Sequence, residues 1–224
     1  DDVPEDYFNT VLYTASGSDN LAITGVGFQP DFTWIKSRSA AYSNNVYDNV
    51  RGVSKRLQTN LTNAESSPIS GVKSFDADGF TLGADTNDTN FTAGITYVAW
   101  NWLAGNGTSS NTDGTITSTV SANQKAGFSI VSYTGNLSST TTSTGASIGH
   151  GLNSAPDLII TKSRTGAYDW DVRSSSLTSF EYRLNLNTTS SALDLSAYPV
   201  ASPTSSVFYT NYVTTQNISG EDYI

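Results

Sequence analysis

The densest group of oxygen ligands in the sequence is Asp76-Ala77-Asp78-Gly79, followed by Asp85, Asn87, Asp88 and Asn90. Calcium takes roughly six to eight oxygens, and alternating Asp on a Gly-containing turn supplies several of them. Asp76, Asp78, Asp85 and Asp88 are therefore candidate ligands for a possible Ca2+, the one cofactor the residues suggest. They lack the twelve-residue spacing and closing Glu of an EF-hand. The weightier reading of Asp78-Gly79, set between Phe75 and Phe80, is a tight β-turn. The matching stretch of the second half, Ser205-Ser206-Val207-Phe208, holds no acidic pair, which weakens any claim that the fold itself needs calcium.

Two further groups could bind a ligand. Lys36-Ser37-Arg38 returns as Lys162-Ser163-Arg164, and Arg38 and Arg164 could each grip a carboxylate or sulfate with two parallel hydrogen bonds. The competing expectation is that they close strand ends by pairing with Asp31, Asp48, Asp157 or Asp169 of their own half. Tyr42, Tyr47, Tyr168 and Trp170 fall in or beside the loops that follow, where flat rings stack on sugars. Packing beneath the loop, or burial between subunits, is the stronger reading for all four.

Catalysis finds little support. There is no Gly-x-Ser-x-Gly elbow, and a single histidine, His150, would have to serve any serine triad. Asp and Glu show no spacing that points to glycoside hydrolysis, and phosphate-loop and dinucleotide patterns are missing. The expectation is a protein without a catalytic residue.

The elements that must position these side chains are strands. Of 224 residues, 37% are hydrophobic and 11% aromatic, enough to fill a core, while only 14% are charged. The net charge of −9 repels phosphate backbones, which argues against nucleic-acid partners. No apolar run reaches the length of a membrane-spanning helix. Zero cysteine removes disulfides, thiolate nucleophiles and iron–sulfur clusters together. Helical patterning is nearly absent. Phe32–Lys36, Tyr97–Trp102, Thr115–Val120, Phe128–Tyr133 and Leu158–Thr161 read as strands, with turn signals about every ten residues. In Tyr97–Trp102 the alternation puts Val98, Trp100 and Trp102 on one face, expected to be the buried one, with Asn101 opposite.

The sequence also repeats itself. FNTVLYT (Phe8–Thr14) returns as FSIVSYT (Phe128–Thr134), Pro30-Asp31 as Pro156-Asp157, and Ala41-Tyr42 as Ala167-Tyr168. Further on Val46 matches Val172, Arg56-Leu57 matches Arg183-Leu184, Asn60 matches Asn187, Phe80 matches Phe208, and Tyr97 matches Tyr223. The expected fold is all-β, two tandem antiparallel β-sandwiches of jelly-roll-like form from an internal duplication. Residues 1–7 read as a linker from an upstream domain and 8–104 as the first copy. Residues 105–127 read as a Gly/Ser/Asn-rich connector with one strand, and 128–224 as the second copy, cut short in its last strand. Because Tyr97 is followed by Val98–Trp102, the repeat predicts a polypeptide that continues past Ile224.

The strings YFNTVLYT, ITGVGFQPDFTWIKSRS, RGVSKRLQTN with TNAES, SFDADGFTLG, YVAWNW, SNTDGTITSTVSAN, GFSIVSYTG and GHG together resemble a module of marine bacteriophage tail-fibre-like structural proteins. In such proteins the module often follows a SPRY-like domain. The resemblance implies an extracellular virion component of a fibre or adhesin that attaches to the host surface without catalysis. It also implies as partners other copies of the chain, as in trimers, other virion proteins and a host glycan or protein. It assigns no functional residue. The other readings are a bacterial surface or filament protein, a carbohydrate-binding module, and a fibre-borne glycan depolymerase.

Overall fold

The computed structural model describes residues 3–68, 70–84, 89–137, 145–197, 200–211 and 215–224. The protein is all-β: its strands pair antiparallel throughout, and a 3-10 turn at Pro4–Asp6 is the one helical element among the described residues. Two compact units divide the chain, Asp1–Thr59 with Glu65–Gly107, and Asn60–Ala64 with Thr108–Ile224.

Unit 1 holds β1 (Phe8–Thr14), β2 (Leu21–Thr24), β3 (Phe32–Ser37), β4 (Asn45–Asp48), β5 (Leu57–Gln58), β6 (Val72–Asp76), β7 (Gly79–Leu82) and β8 (Thr96–Trp102). They form a five-stranded sheet, β1-β8-β3-β4-β5, and a three-stranded sheet, β2-β7-β6. The core draws on both. Val11, Tyr13, Ile35, Tyr97 and Ala99 of the larger sheet cluster with Ile23, Val72, Phe80 and Leu82 of the smaller. Period-two alternation makes this possible, because each strand turns every second side chain inward.

β8 alternates as expected, but its faces are reversed. The buried residues are Tyr97, Ala99 and Asn101, while Val98, Trp100 and Trp102 stay partly exposed. Asn101 is tolerated inside because it is satisfied: its Oδ1 accepts from Thr33 Oγ1 at 3.0 Å, and its Nδ2 donates to Ala99 O at 3.2 Å and Asn9 O at 3.3 Å. The small Ala99 and the stacking of Tyr97 on Tyr13 leave little room for indoles on that side.

Unit 2 holds β9 (Ser109–Asn111), β10 (Ser118–Asn123), β11 (Phe128–Thr134), β12 (Ala146–Gly149), β13 (Leu158–Thr161), β14 (Asp171–Ser174), β15 (Tyr182–Asn185), β16 (Leu193–Asp194), β17 (Val207–Thr210) and β18 (Asp222–Tyr223). Its sheets run β18-β11-β10-β9, β12-β17 and β13-β14-β15-β16. Residues 105–127, set apart by sequence as a connector, supply both β9 and β10 to the sheet built on β11.

Local geometry recurs between the units. Tyr13 stacks on Tyr97 at 5.0 Å and 8°, and Tyr133 stacks on Tyr223 at 5.3 Å and 15°. Each first tyrosine meets a phenylalanine edge-on, Phe80 at 6.4 Å and Phe208 at 6.1 Å. Each donates its hydroxyl to a loop carbonyl, Thr89 O at 2.8 Å and Gln216 O at 2.7 Å. Asn90 Oδ1 accepts from Ser16 N at 2.9 Å, as Asn217 Oδ1 accepts from Asn136 N at 2.8 Å. The amides of Ala15 and Gly135 donate to Ile95 O and Glu221 O, those of Gly94 and Gly220 to Ala15 O and Gly135 O, and those of Arg38 and Arg164 to Thr96 O and Asp222 O.

The cores diverge at β4 and β14. Unit 1 buries Asn45 and Tyr47 there; unit 2 buries Asp171 and Arg173. Arg173 donates to Asp171 Oδ1 at 3.2 Å, Phe180 O at 2.8 Å and Gln216 Oε1 at 3.1 Å. Asp171 also accepts from Arg183 at 3.3 Å, Thr215 at 3.1 Å and Gln216 at 3.0 Å, so a charged cluster is desolvated but fully bonded at its carboxylate. Removing one member strands the others without water. Arg173→Ala is expected to lower unfolding free energy in urea titrations by ~3–5 kcal/mol. The paired change Asp171→Asn with Arg173→Tyr, which copies unit 1, is expected to cost less than that single substitution.

Candidate functional site

The outward face of the five-stranded sheet in unit 1 collects aromatic side chains. Register fixes this: Phe8 and Phe32 both pair with Trp102, and Thr10 and Trp34 both pair with Trp100. All six positions point away from Tyr97, Ala99 and Ile35, which are buried. The Phe8 and Phe32 rings lie 4.8 and 5.4 Å from Trp102, and Trp34 meets Trp100 edge-on at 6.3 Å. Leu12, next along β1, is 61% exposed, and Phe8 is 37% exposed. The result is a row of rings, tilted or edge-on to one another at 51–77°, held by backbone hydrogen bonds beneath it. Its chemistry is stacking and apolar contact.

Of the ligand-contact candidates, Tyr47 and Trp170 are buried and cannot meet a ligand from solvent. Tyr47 packs in the unit 1 core, because β4 faces the smaller sheet at that position. Trp170 Nε1 donates to Leu61 O at 3.2 Å inside unit 2. Tyr42 is partly buried against the unit 1 core, where its carbonyl accepts from Lys36 Nζ at 2.6 Å. Tyr168 is partly buried, Arg38 is exposed, and Arg164 donates to Ser132 Oγ at 3.2 Å.

The carboxylates expected to pair with these arginines are engaged elsewhere. Asp31 accepts from the amides of Ala104 at 2.7 Å and Asn106 at 3.0 Å, and from Asn49 Nδ2. Asp48 pairs with Arg51, Asp157 accepts from Ser175 Oγ at 2.7 Å, and Asp169 accepts from Asn185 and Asn187. Burial pushes the Asp31 carboxyl up in pKa against these donors.

The acidic candidates act as turn closers where they are described. Asp78 accepts from the amides of Gly27 at 2.6 Å and Gly25 at 3.0 Å, which hold its carboxyl below the usual carboxylate range. Asp76 accepts from Thr81 Oγ1 at 2.7 Å. Gly79, with φ +153°, is required at this turn: a Cβ there would lie 1.9 Å from Ile23 O. Asp85 and Asp88 lie outside the described residues. Among the described residues no three His, Cys, Asp or Glu side chains converge as metal ligands.

The aromatic row escaped sequence reasoning because it is assembled from three strands. Alternation in Tyr97–Trp102 was the available signal; what it lacked was the register that sets Phe8 and Phe32 against Trp102.

The family model described as a domain of unknown function (DUF7483) matches residues 3–224. The chain belongs to this family. The match spans both units, so the family is defined over the pair. No curated protein and no solved structure matches the chain.

Two basic side chains are buried in unit 2. Lys162 is fully buried, its Nζ donating to Ser163 O at 2.7 Å and Gly166 O at 3.0 Å, and burial lowers its pKa to about 8. His150 is buried in unit 2, with Nδ1 accepting from Leu152 N at 3.1 Å and Nε2 facing Thr204 O at 3.2 Å. Burial lowers its pKa from 6.5. The neutral ring is the folded form, so its contribution is complete above the unfolded pKa of about 6.5 and is lost as pH falls from there through the folded value. Urea midpoints are expected to fall between pH 7 and pH 5, and His150→Asn, which keeps an acceptor for Leu152, is expected to flatten that decline.

Proposed function

We propose that this chain is a non-enzymatic adhesive module of a bacteriophage tail fibre, extracellular on the virion, that attaches to the host surface. In this reading its units are tandem β-sandwiches of jelly-roll-like form, descended from one duplicated ancestor. Recurrence of the tyrosine stack and its hydrogen bonds at matching positions supports common descent. The observation that carries the adhesive role is the outward row Phe8, Phe32, Trp34, Trp100 and Trp102. Rings fixed on a rigid sheet give a weak, geometrically defined contact for sugar rings, and tethering of several copies raises such contacts to useful avidity. Copies of the chain, in threes or otherwise, and other virion proteins are the proposed assembly partners.

That same aromatic row favours one second reading, a carbohydrate-binding module on a bacterial surface or filament. Mass spectrometry of purified virions separates the two: the fibre reading requires the chain to be present. A depolymerase would release reducing ends from host glycans, and none are expected.

Trp100→Ala and Trp34→Ala each remove a ring from the outward face without opening the core. Binding of fluorescently labelled protein to host cells is expected to fall at least about tenfold for each, with little change in thermal midpoint. Unchanged binding would remove the aromatic face from the adhesive role.

A further inference from the structure

Asn106 alone among the asparagines of the sequence is followed by glycine. The Asn106-Gly107 step lies just past β8 and is exposed at both residues. Its main chain is held from one side. Asp31 Oδ2 accepts from the amides of Ala104 at 2.7 Å and Asn106 at 3.0 Å, which fixes the segment up to the Asn106 nitrogen. Beyond that nitrogen there is open space: a Cβ built on Gly107 would meet no atom within 4 Å. Asn106 itself has φ +53°, a left-handed backbone that asparagine tolerates better than most residues.

The Asn106 carboxamide makes no hydrogen bond among the described residues. The buried Asn90, Asn101 and Asn217, by contrast, are bonded at both the oxygen and the nitrogen of their carboxamides. The two carboxylates that precede glycine are also pinned. Asp78 accepts from the amides of Gly25 and Gly27, and Asp113 Oδ2 accepts from Asn111 Nδ2 at 3.1 Å. A Cβ on Gly79 or Gly114 would lie 1.9 Å from Ile23 O or 2.3 Å from Ser147 O, so those backbones have no room to swing. Asn106 is the one side chain of this kind that is free to turn back on the following amide.

We propose that Asn106 is a site of spontaneous deamidation through a cyclic imide, with water as the co-reactant. Gly107 N forms a bond to Asn106 Cγ; the Cγ–Nδ2 bond breaks, and Nδ2 leaves as ammonia carrying the proton that Gly107 N gives up. Water then opens the five-membered ring. Opening at Cγ leaves aspartate. Opening at the main-chain carbonyl leaves isoaspartate, in which the chain runs on through Cγ and gains one backbone atom. Either product adds one negative charge to the net −9. In isoaspartate the freed carboxylate sits on the same Cα whose N–H donates to Asp31, so the buried Asp31 charge, already disfavoured by desolvation, is disfavoured further. The change falls where the chain leaves unit 1 at Gly107 and enters unit 2 at Thr108.

The test incubates the folded 224-residue chain in heavy-oxygen water at mildly alkaline pH, then locates the label by acidic digestion and mass spectrometry. Label is expected to enter at Asn106 at least about tenfold faster than at Asn63 and Asn153, which are exposed but precede Ala64 and Ser154. Gly107→Ala is expected to slow entry about tenfold, because a Cβ crowds the attacking nitrogen and narrows its backbone. Asn106→Gln, which would need a six-membered ring, should take up no label at that position. Equal rates at the three asparagines would overturn the proposal. So would label at Asn106 that enters only in urea, since the folded loop would then forbid ring closure.

Discussion

Each unit closes on a pair of stacked tyrosines. Tyr13 on Tyr97, and Tyr133 on Tyr223, stack between register partners on adjacent strands, β1 with β8 and β11 with β18. The first ring of each pair then spends its hydroxyl on a loop carbonyl, so one residue fixes a strand, a face and a loop at once. Burial and the neighbouring Tyr223 hydroxyl push the Tyr133 hydroxyl well above its ordinary pKa, which keeps it a donor across the physiological range. Because the stack occupies the inner side of β8, the indoles of that strand are turned outward. The outward row of rings is thus a consequence of how the core is closed.

Much of this was legible in the residue pattern. The repeat of FNTVLYT as FSIVSYT carries the matched tyrosines, and the matched Lys-Ser-Arg runs fall at equivalent ladder positions. The period-two reading of Tyr97–Trp102 was correct, but the side it buried was not. Hydrophobicity alone would bury three large apolar residues, whereas Asn101 is the one buried because Thr33 and the carbonyls of Asn9 and Ala99 satisfy it. No sequence window contains that information, since Asn9 and Thr33 lie far from Asn101.

The same limit explains the rest. Asp171, Arg173, Arg183 and Gln216 meet in one buried cluster from three separate segments, and nothing in their spacing announces it. For Tyr47 and Trp170, ring chemistry and loop position allow either ligand contact or packing, and their burial decides for packing, the stronger expectation. Composition shift marked 105–127 as a connector because Gly, Ser and Asn dominate it. The one strand expected there, Thr115–Val120, overlaps β10 (Ser118–Asn123), which pairs along β11; the unexpected one is Ser109–Asn111, which pairs along β10, since backbone hydrogen bonding needs no apolar side chain.

Shared construction of the two units is tested most directly by residue-resolved amide exchange on the whole chain. Ala15 with Gly135, Gly94 with Gly220, and Arg38 with Arg164 donate to matched carbonyls. A common construction predicts protection at both members of every pair, far above that of exposed turn amides. Protection in unit 1 with free exchange at all three partners in unit 2 would contradict it.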